Sequence, residues 1–184
     1  IMKKKLKIKK KKRFSFFKIR TYLTNIFNKR YIGSFLLLIS IYLLLAFTSF
    51  FIQWEYDNSI VHNKNWNEVI TDTSTTAKNI LGKFGALIAH QLIYLWFGIT
   101  AYLIPIFLLL SAIRFLGIKT LSLKRFLFNT ILALVIMPVF IQHFFSSVLF
   151  AGGIGYHIHN LLINLIGNIG TLLLLLTILI LLFV

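Results

Sequence analysis

The chain has 184 residues, 58% apolar, 16% aromatic and only 13% charged, whereas soluble domains run near half apolar and a quarter charged. That excess rules out a water-soluble single domain. Twenty Lys and Arg face four Asp and Glu, for a net charge of +16, and there is no Cys, which excludes a disulfide framework, a thiolate metal site and a Cys nucleophile and argues against a paired-carboxylate active site.

Residues 1–33 form a basic tail. Lys3, Lys4, Lys5, Lys7, Lys9, Lys10, Lys11, Lys12 and Arg13 make a low-complexity run that like-charge repulsion keeps extended. Its simplest partner is the anionic lipid surface; nucleic acid, through release of counterions from phosphates, is the sharper alternative. Phe16, Ile19, Leu23, Ile26 and Phe27 then recur at helical spacing, so this piece is expected to lie flat on the bilayer as a ramp into the first span. Spans follow from the bilayer core, about 30 Å thick, which about 20 apolar helical residues cross. The first is 34–52, without a charge. It is longer than the apolar core of a secretory signal, and Gln53-Trp54-Glu55-Tyr56 offers no small-residue cleavage site, so it is expected to stay as an anchor.

Residues 53–84 hold all four acids and the polar run Thr71-Asp72-Thr73-Ser74-Thr75-Thr76, which reads as a loop. Trp54, Tyr56 and Trp66 suit a membrane interface. Apolar periodicity returns at Ile80, Leu81, Phe84, Leu87 and Ile88, the pattern of a short amphipathic helix leading into the second span, 85–113. As a straight helix that span would rise about 43 Å, more than one perpendicular crossing needs; an interfacial lead-in removes the excess, and Pro105 is a candidate kink. Gly82 with Ala86 and Gly85 with Ala89 are small residues four apart, a spacing that permits close helix approach. A basic connection, 114–125, precedes the third span, 126–150. Gly152, Gly153 and Gly155 then mark a tight turn over 151–160, and 161–184 is the fourth span, with Gly167 and Gly170 on a smooth face. The fold class is therefore all-α: a polytopic membrane protein with four transmembrane helices.

Thirteen basic residues precede the first span, and Arg114, Lys119, Lys124 and Arg125 lie between the second and third. The 53–84 connection carries a net charge of −1 and the 151–160 turn none. Because cytoplasmic loops retain Lys and Arg, both termini are expected in the cytoplasm and the other two connections outside.

No formally charged residue falls within the spans, contrary to the pattern of pumps and proton relays. His90, Gln91, Gln142 and His143 are the polar residues of size there, read as interfacial or helix-bonding. His157 and His159 resemble a metal pair only weakly, since no further ligand stands near them in the sequence. Phosphate-loop, HExxH and GxSxG signatures are missing. No catalytic, cofactor or metal residue is therefore assigned.

The run Leu81-Gly82-Lys83-Phe84-Gly85-Ala86 through His90, then Tyr94-Leu95-Trp96-Phe97-Gly98-Ile99 and Pro105, together with Gly152-Gly153-Ile154-Gly155-Tyr156 and Leu165-Ile166-Gly167-x-x-Gly170-Thr171-Leu172, resembles the N-terminal four-helix membrane domain of FtsK-type DNA translocases, in the form common in the Bacteroidetes. The resemblance covers nearly the whole chain from about residue 29. It implies a non-catalytic anchor and assembly domain in the bacterial inner membrane at the division septum, a homo-oligomer in contact with other division proteins and serving chromosome partition. ATP, Mg and DNA binding would belong to a cytoplasmic motor expected beyond Val184, and no cofactor to this segment. Two alternatives remain: a stand-alone four-span scaffold with a lipid- or nucleic-acid-binding tail, and a small channel or transporter, against which the charge-free spans speak.

Overall fold

Hydrocarbon offers a peptide group no hydrogen-bonding partner, so apolar runs of bilayer length close their bonds internally as helices. The computed structural model describes residues 16–118 and 122–183, with side chains over 28–118 and 122–180; Lys3 to Arg13 lie outside it. The described residues are all-helical, without strand. Four helical stretches are long and apolar enough to cross a membrane: Asn28–Ile52, Gly82–Phe115, Leu123–Phe145 and Val148–Ile180.

Helix α1 (Phe16–Ile52) is continuous. The separate ramp expected over 16–27 is absent: its backbone runs on into the span, because neither Gly nor Pro interrupts residues 16–32. At 1.5 Å per residue α1 is about 55 Å long and overshoots the hydrocarbon core. Its acidic-loop end meets two short helices, α2 (Trp54–Val61) and α3 (Trp66–Thr71), where the sequence suggested an unstructured loop. Asn63 takes a left-handed φ of 61° between them, and the Glu68 carboxylate accepts the Asn65 N–H at the start of α3. Ile60, Val61 and Val69 bury themselves against Ala86 and Leu87 of α4 (Gly82–Ala89). The segment is thus a small platform with its own apolar core.

The second hairpin arm departs most from a simple rod. α4 passes into a π-helical stretch, His90–Phe97, then a 3-10 turn, Gly98–Tyr102, then α5 (Leu103–Phe115). Just before α4, Asn79 bonds Ala46; just after the break, the Tyr102 ring packs on Phe47 and Phe51. Both ends of the 82–97 stretch therefore meet the same short piece of α1, although the stretch itself is on the order of 20 Å long, so it runs across the bundle and not along it. The crossing proper is 98–115, whose 3-10 and α turns rise about 30 Å, one bilayer core. The bend sits at Gly98 (φ 60°, ψ −143°). It is not at Pro105, which falls in the first turn of α5, where a missing N–H costs nothing and where its carbonyl accepts the Ser40 hydroxyl at 2.8 Å.

α6 (Leu123–Phe145) ends in Ser146, left-handed at φ 50°, and α7 (Val148–Phe183) starts almost at once. The chain therefore leaves α6 at residues 146–147, ahead of the glycines over 151–160 where a single turn is expected, and breaks again at Gly152. A helix C-terminus accepts a left-handed residue with a short polar side chain, which frees the glycines for another use. α7 carries non-helical breaks at Gly152 (φ 70°, ψ 167°) and Gly167 (φ 72°, ψ 174°). The second break also redirects it. Gly155 lies against Pro138, whereas Leu179 shares a cavity with Asn129, Ala133 and Met137, much closer along α6 than the roughly 36 Å of straight helix separating 155 from 179. The core joins Leu43, Ala46, Phe47 and Phe50 of α1 to Ala89, Ile93 and Ala101. Leu38, Ile131, Leu165 and Ile180 face outward, as lipid-covered surfaces do.

Candidate functional site

Residues with chemical or geometric character gather at the acidic-loop end. Asp57 on α2 is fully buried, and its Oδ1 accepts the Lys78 N–H at 2.8 Å. Asn79, next in line, donates from Nδ2 to the Ala46 carbonyl at 3.0 Å and accepts the Leu81 N–H at Oδ1; the Ile80 N–H donates to Ser49 Oγ at 2.9 Å. This clasp ties the chain ahead of α4 to α1 and α2. Burial pushes the Asp57 carboxyl above its ordinary value of 3.8, against the N–H groups of Lys78 and Asn79, which favour the charged form. On the surface, the hydroxyl and N–H of Ser74 and the hydroxyl of Thr75, with Lys64 at 3.7 Å, hold Asp72 well below the usual carboxylate range; the Lys83 ammonium donates to the Asp72 backbone carbonyl.

The two acids make opposite predictions. A raised folded-state value favours proton uptake by the folded clasp, so the contribution of Asp57 is largest below about 3.8 and declines as pH rises through its raised value. Amide exchange at Lys78 and Ile80, corrected for intrinsic rates, should therefore slow as pH falls from neutral, and Asp57→Asn should abolish that dependence. The Asp72 turn is stabilised above the ordinary carboxylate value and loosens only as pH falls through the depressed one.

Beside the platform, His90 stacks on Tyr94 at 5.3 Å and meets His62 edge-on, with Trp54 stacked on the far side of the cluster at 6.2 Å from Tyr94. Gln91 is partly buried beside it and lines the same open cleft as His62 and His90. His157 and His159 do not form a pair. His159 turns to His143 on α6, with Nδ1 of His143 and Nε2 of His159 3.2 Å apart, while His157 packs against Tyr156; Gln142 is buried nearby. The His143–His159 contact joins different spans, so sequence spacing carries no signal for it. Among the described residues no three His, Asp, Glu or Cys side chains come together as a metal site would need.

The glycines mark where backbones meet. A Cβ on Gly98 would strike the Phe150 carbonyl and Ala151, and one on Gly152 would strike the Trp96 carbonyl and the Gly98 nitrogen. Two broken helices thus cross in direct backbone contact. Gly153 continues the contact onto the Leu95 carbonyl at 2.5 Å, and Gly155 brings α7 to within 2.6 Å of the Pro138 carbonyl, measured from the same hypothetical Cβ positions. Gly85 is approached most closely by Asn79 and Leu81, the chain leading into its own helix. Gly82 and Gly167 have positive φ with open space around them, and the nearest neighbour of Gly170 is Ile166, one turn back on its own helix. Ala86 is buried in the platform core. Gly33 is a close approach that the pattern of small pairs did not reveal: its missing Cβ would lie 3.0 Å from the Ala112 carbonyl of α5.

The backbones that touch at this crossing, Leu95 to Gly98 and Phe150 to Gly153, overlap the stretches Tyr94 to Ile99 and Gly152 to Tyr156 that carry the sequence resemblance. A family model described as the 4TM region of DNA translocase FtsK/SpoIIIE matches residues 27–184. The chain belongs to this family. Its four apolar helices agree with a four-transmembrane region, and it is a multi-pass membrane protein. No curated protein and no solved structure matches it. In this member of the FtsK/SpoIIIE membrane region, the sequence landmarks are contact points of the fold: Gly98, Gly152 and Gly153 make the crossing, and His90 and Tyr94 fill the space between α1 and the platform.

Proposed function

We propose that this segment is the membrane anchor and assembly domain of a septal DNA translocase, itself non-catalytic, in the inner membrane of a bacterium. The family match over residues 27–184 carries the reading. Charge supports its orientation: Lys29, Arg30, Arg114, Lys124 and Arg125 collect at one end of the bundle and every acid at the other, so the positive-inside rule puts both termini in the cytoplasm, where an ATP-driven, DNA-pulling motor would be joined. The work of the segment is span packing, self-association and contacts of the 53–81 platform with other division proteins, and the basic tail meets anionic lipid or DNA. A fluorescent fusion to the native protein should gather at midcell in dividing cells, and a topology reporter inserted after Asn63 should read as external. Uniform membrane fluorescence would reject the septal role, and a cytoplasmic reporter the orientation.

A further inference from the structure

The basic end of the bundle contains a notch. At Gly33 the α1 backbone closes on the end of α5, the missing Cβ lying 3.0 Å from the Ala112 carbonyl and 3.1 Å from the side chains of Phe115 and Leu116. One turn nearer the N-terminus they diverge and leave a cavity of about 360 Å³, within the roughly 300–1,000 Å³ of small-ligand sites. Lys29, Arg30 and Arg114 line one part of it; Phe115, Leu116 and Gly117 line the rest. Gly117, just past the end of α5, takes a φ of 106°.

The cluster keeps a positive field, because the four acids of the chain, Glu55, Asp57, Glu68 and Asp72, all lie beyond the far end of α1. Three cations on exposed positions converge just outside the charge-free span of α1 that begins at Ser34. That is headgroup depth, and an apolar wall continues toward the bilayer. Guanidinium groups bind phosphate oxygens in a planar fork, and a wall of Phe and Leu suits methylenes. We propose that the notch binds the phosphate headgroup of an anionic phospholipid, held by Lys29, Arg30 and Arg114, with the first acyl methylenes on Phe115 and Leu116. The site is separate from the 3–13 tail and does not depend on the translocase assignment.

The absence of Cys makes the test clean. Ile118→Cys, at an exposed position beside the notch, is labelled with a fluorophore in the otherwise intact chain and reconstituted in phosphatidylcholine vesicles. A minor fraction of head-proximal spin-labelled phosphatidylglycerol should quench it several-fold more than spin-labelled phosphatidylcholine does. Each notch cation neutralised should cost about fivefold in relative affinity, so K29Q/R30Q should lose most of the preference and K29Q/R30Q/R114Q all of it. K124Q/R125Q, which removes charge elsewhere on the same end, should retain it. Equal quenching by the two lipids, or equal loss in K124Q/R125Q, would overturn the site in favour of diffuse surface attraction. Relief of quenching by inorganic phosphate, and not by chloride at matched ionic strength, should accompany binding of the headgroup phosphate; a phosphate-dependent change in the fluorophore with no excess quenching by phosphatidylglycerol would overturn the lipid as occupant and leave a free-phosphate site.

Discussion

Alanine at Gly98 or Gly152 should destabilise the bundle by about 2–6 kcal/mol, the sum of a backbone term of about 1–3 kcal/mol and an overpacking term of similar size. Both residues have φ near +60 to +70° with ψ near the extended limit, a region open in practice only to glycine. Both Cβ positions are already occupied by backbone: Phe150 and Ala151 opposite Gly98, Trp96 and Gly98 opposite Gly152. Backbone cannot rotate away as a side chain can, so the two broken helices must separate. Gly167→Ala isolates the conformational part, because its dihedrals are alike but nothing lies within 4 Å of the added methyl; it should cost about 1–3 kcal/mol. The G98A/G152A double variant should cost less than the sum, since both substitutions break one contact. Denaturant unfolding in detergent micelles, followed by tryptophan emission with Trp96 at the crossing, reads all four. If G98A and G152A unfold with G167A, the crossing contributes nothing beyond its dihedrals.

Asn79→Ala should release the platform while leaving the spans folded, at a cost of about 2–4 kcal/mol for two lost bonds and a buried N–H left without a partner. Asn79 is 4% exposed and joins three places at once: Ala46 on α1, the Leu81 N–H ahead of α4, and the Gly82 N–H that its own carbonyl accepts. Hydrogen exchange should rise across 72–81 and in α2 and α3, while amides of 103–115 keep their protection. Asn79→Asp keeps the shape but removes the donor to Ala46 and sets a second carboxylate beside Asp57. It should be worse than the alanine variant at neutral pH and recover on acidification, as either acid takes up a proton. Uniform exchange changes along the whole chain would show instead that platform and spans unfold together.

Much of this architecture is legible in residue order. Apolar runs locate the spans because hydrocarbon cannot hydrogen-bond the backbone, and the placement of 17 of the 20 basic residues away from the four acids defines two chemically different ends. The excess length of the second span also announces itself as a stretch that cannot all be crossing. Less visible is how that excess is taken up. The sequence offered Pro105 as a kink and the 151–160 glycines as a turn, each by local propensity. The structure bends at Gly98, ends α6 at Ser146 and breaks again at Gly152, and spends Gly98, Gly152 and Gly153 on contacts between helices distant in sequence. The 53–84 segment hid two helices for a related reason: α2 and α3 are too short to persist alone, and their apolar residues are buried by Ala86 and Leu87.

Composition and charge order by themselves determined that the chain is a four-span membrane protein with one basic and one acidic end, since solvation acts on each segment independently of its neighbours. Tertiary structure decided where the helices break, which glycines are irreplaceable, that His143 faces His159, and that Lys29, Arg30 and Arg114 share one notch. Each of these depends on backbones or side chains brought together from different spans, and helical periodicity describes a single helix without saying what lies against it.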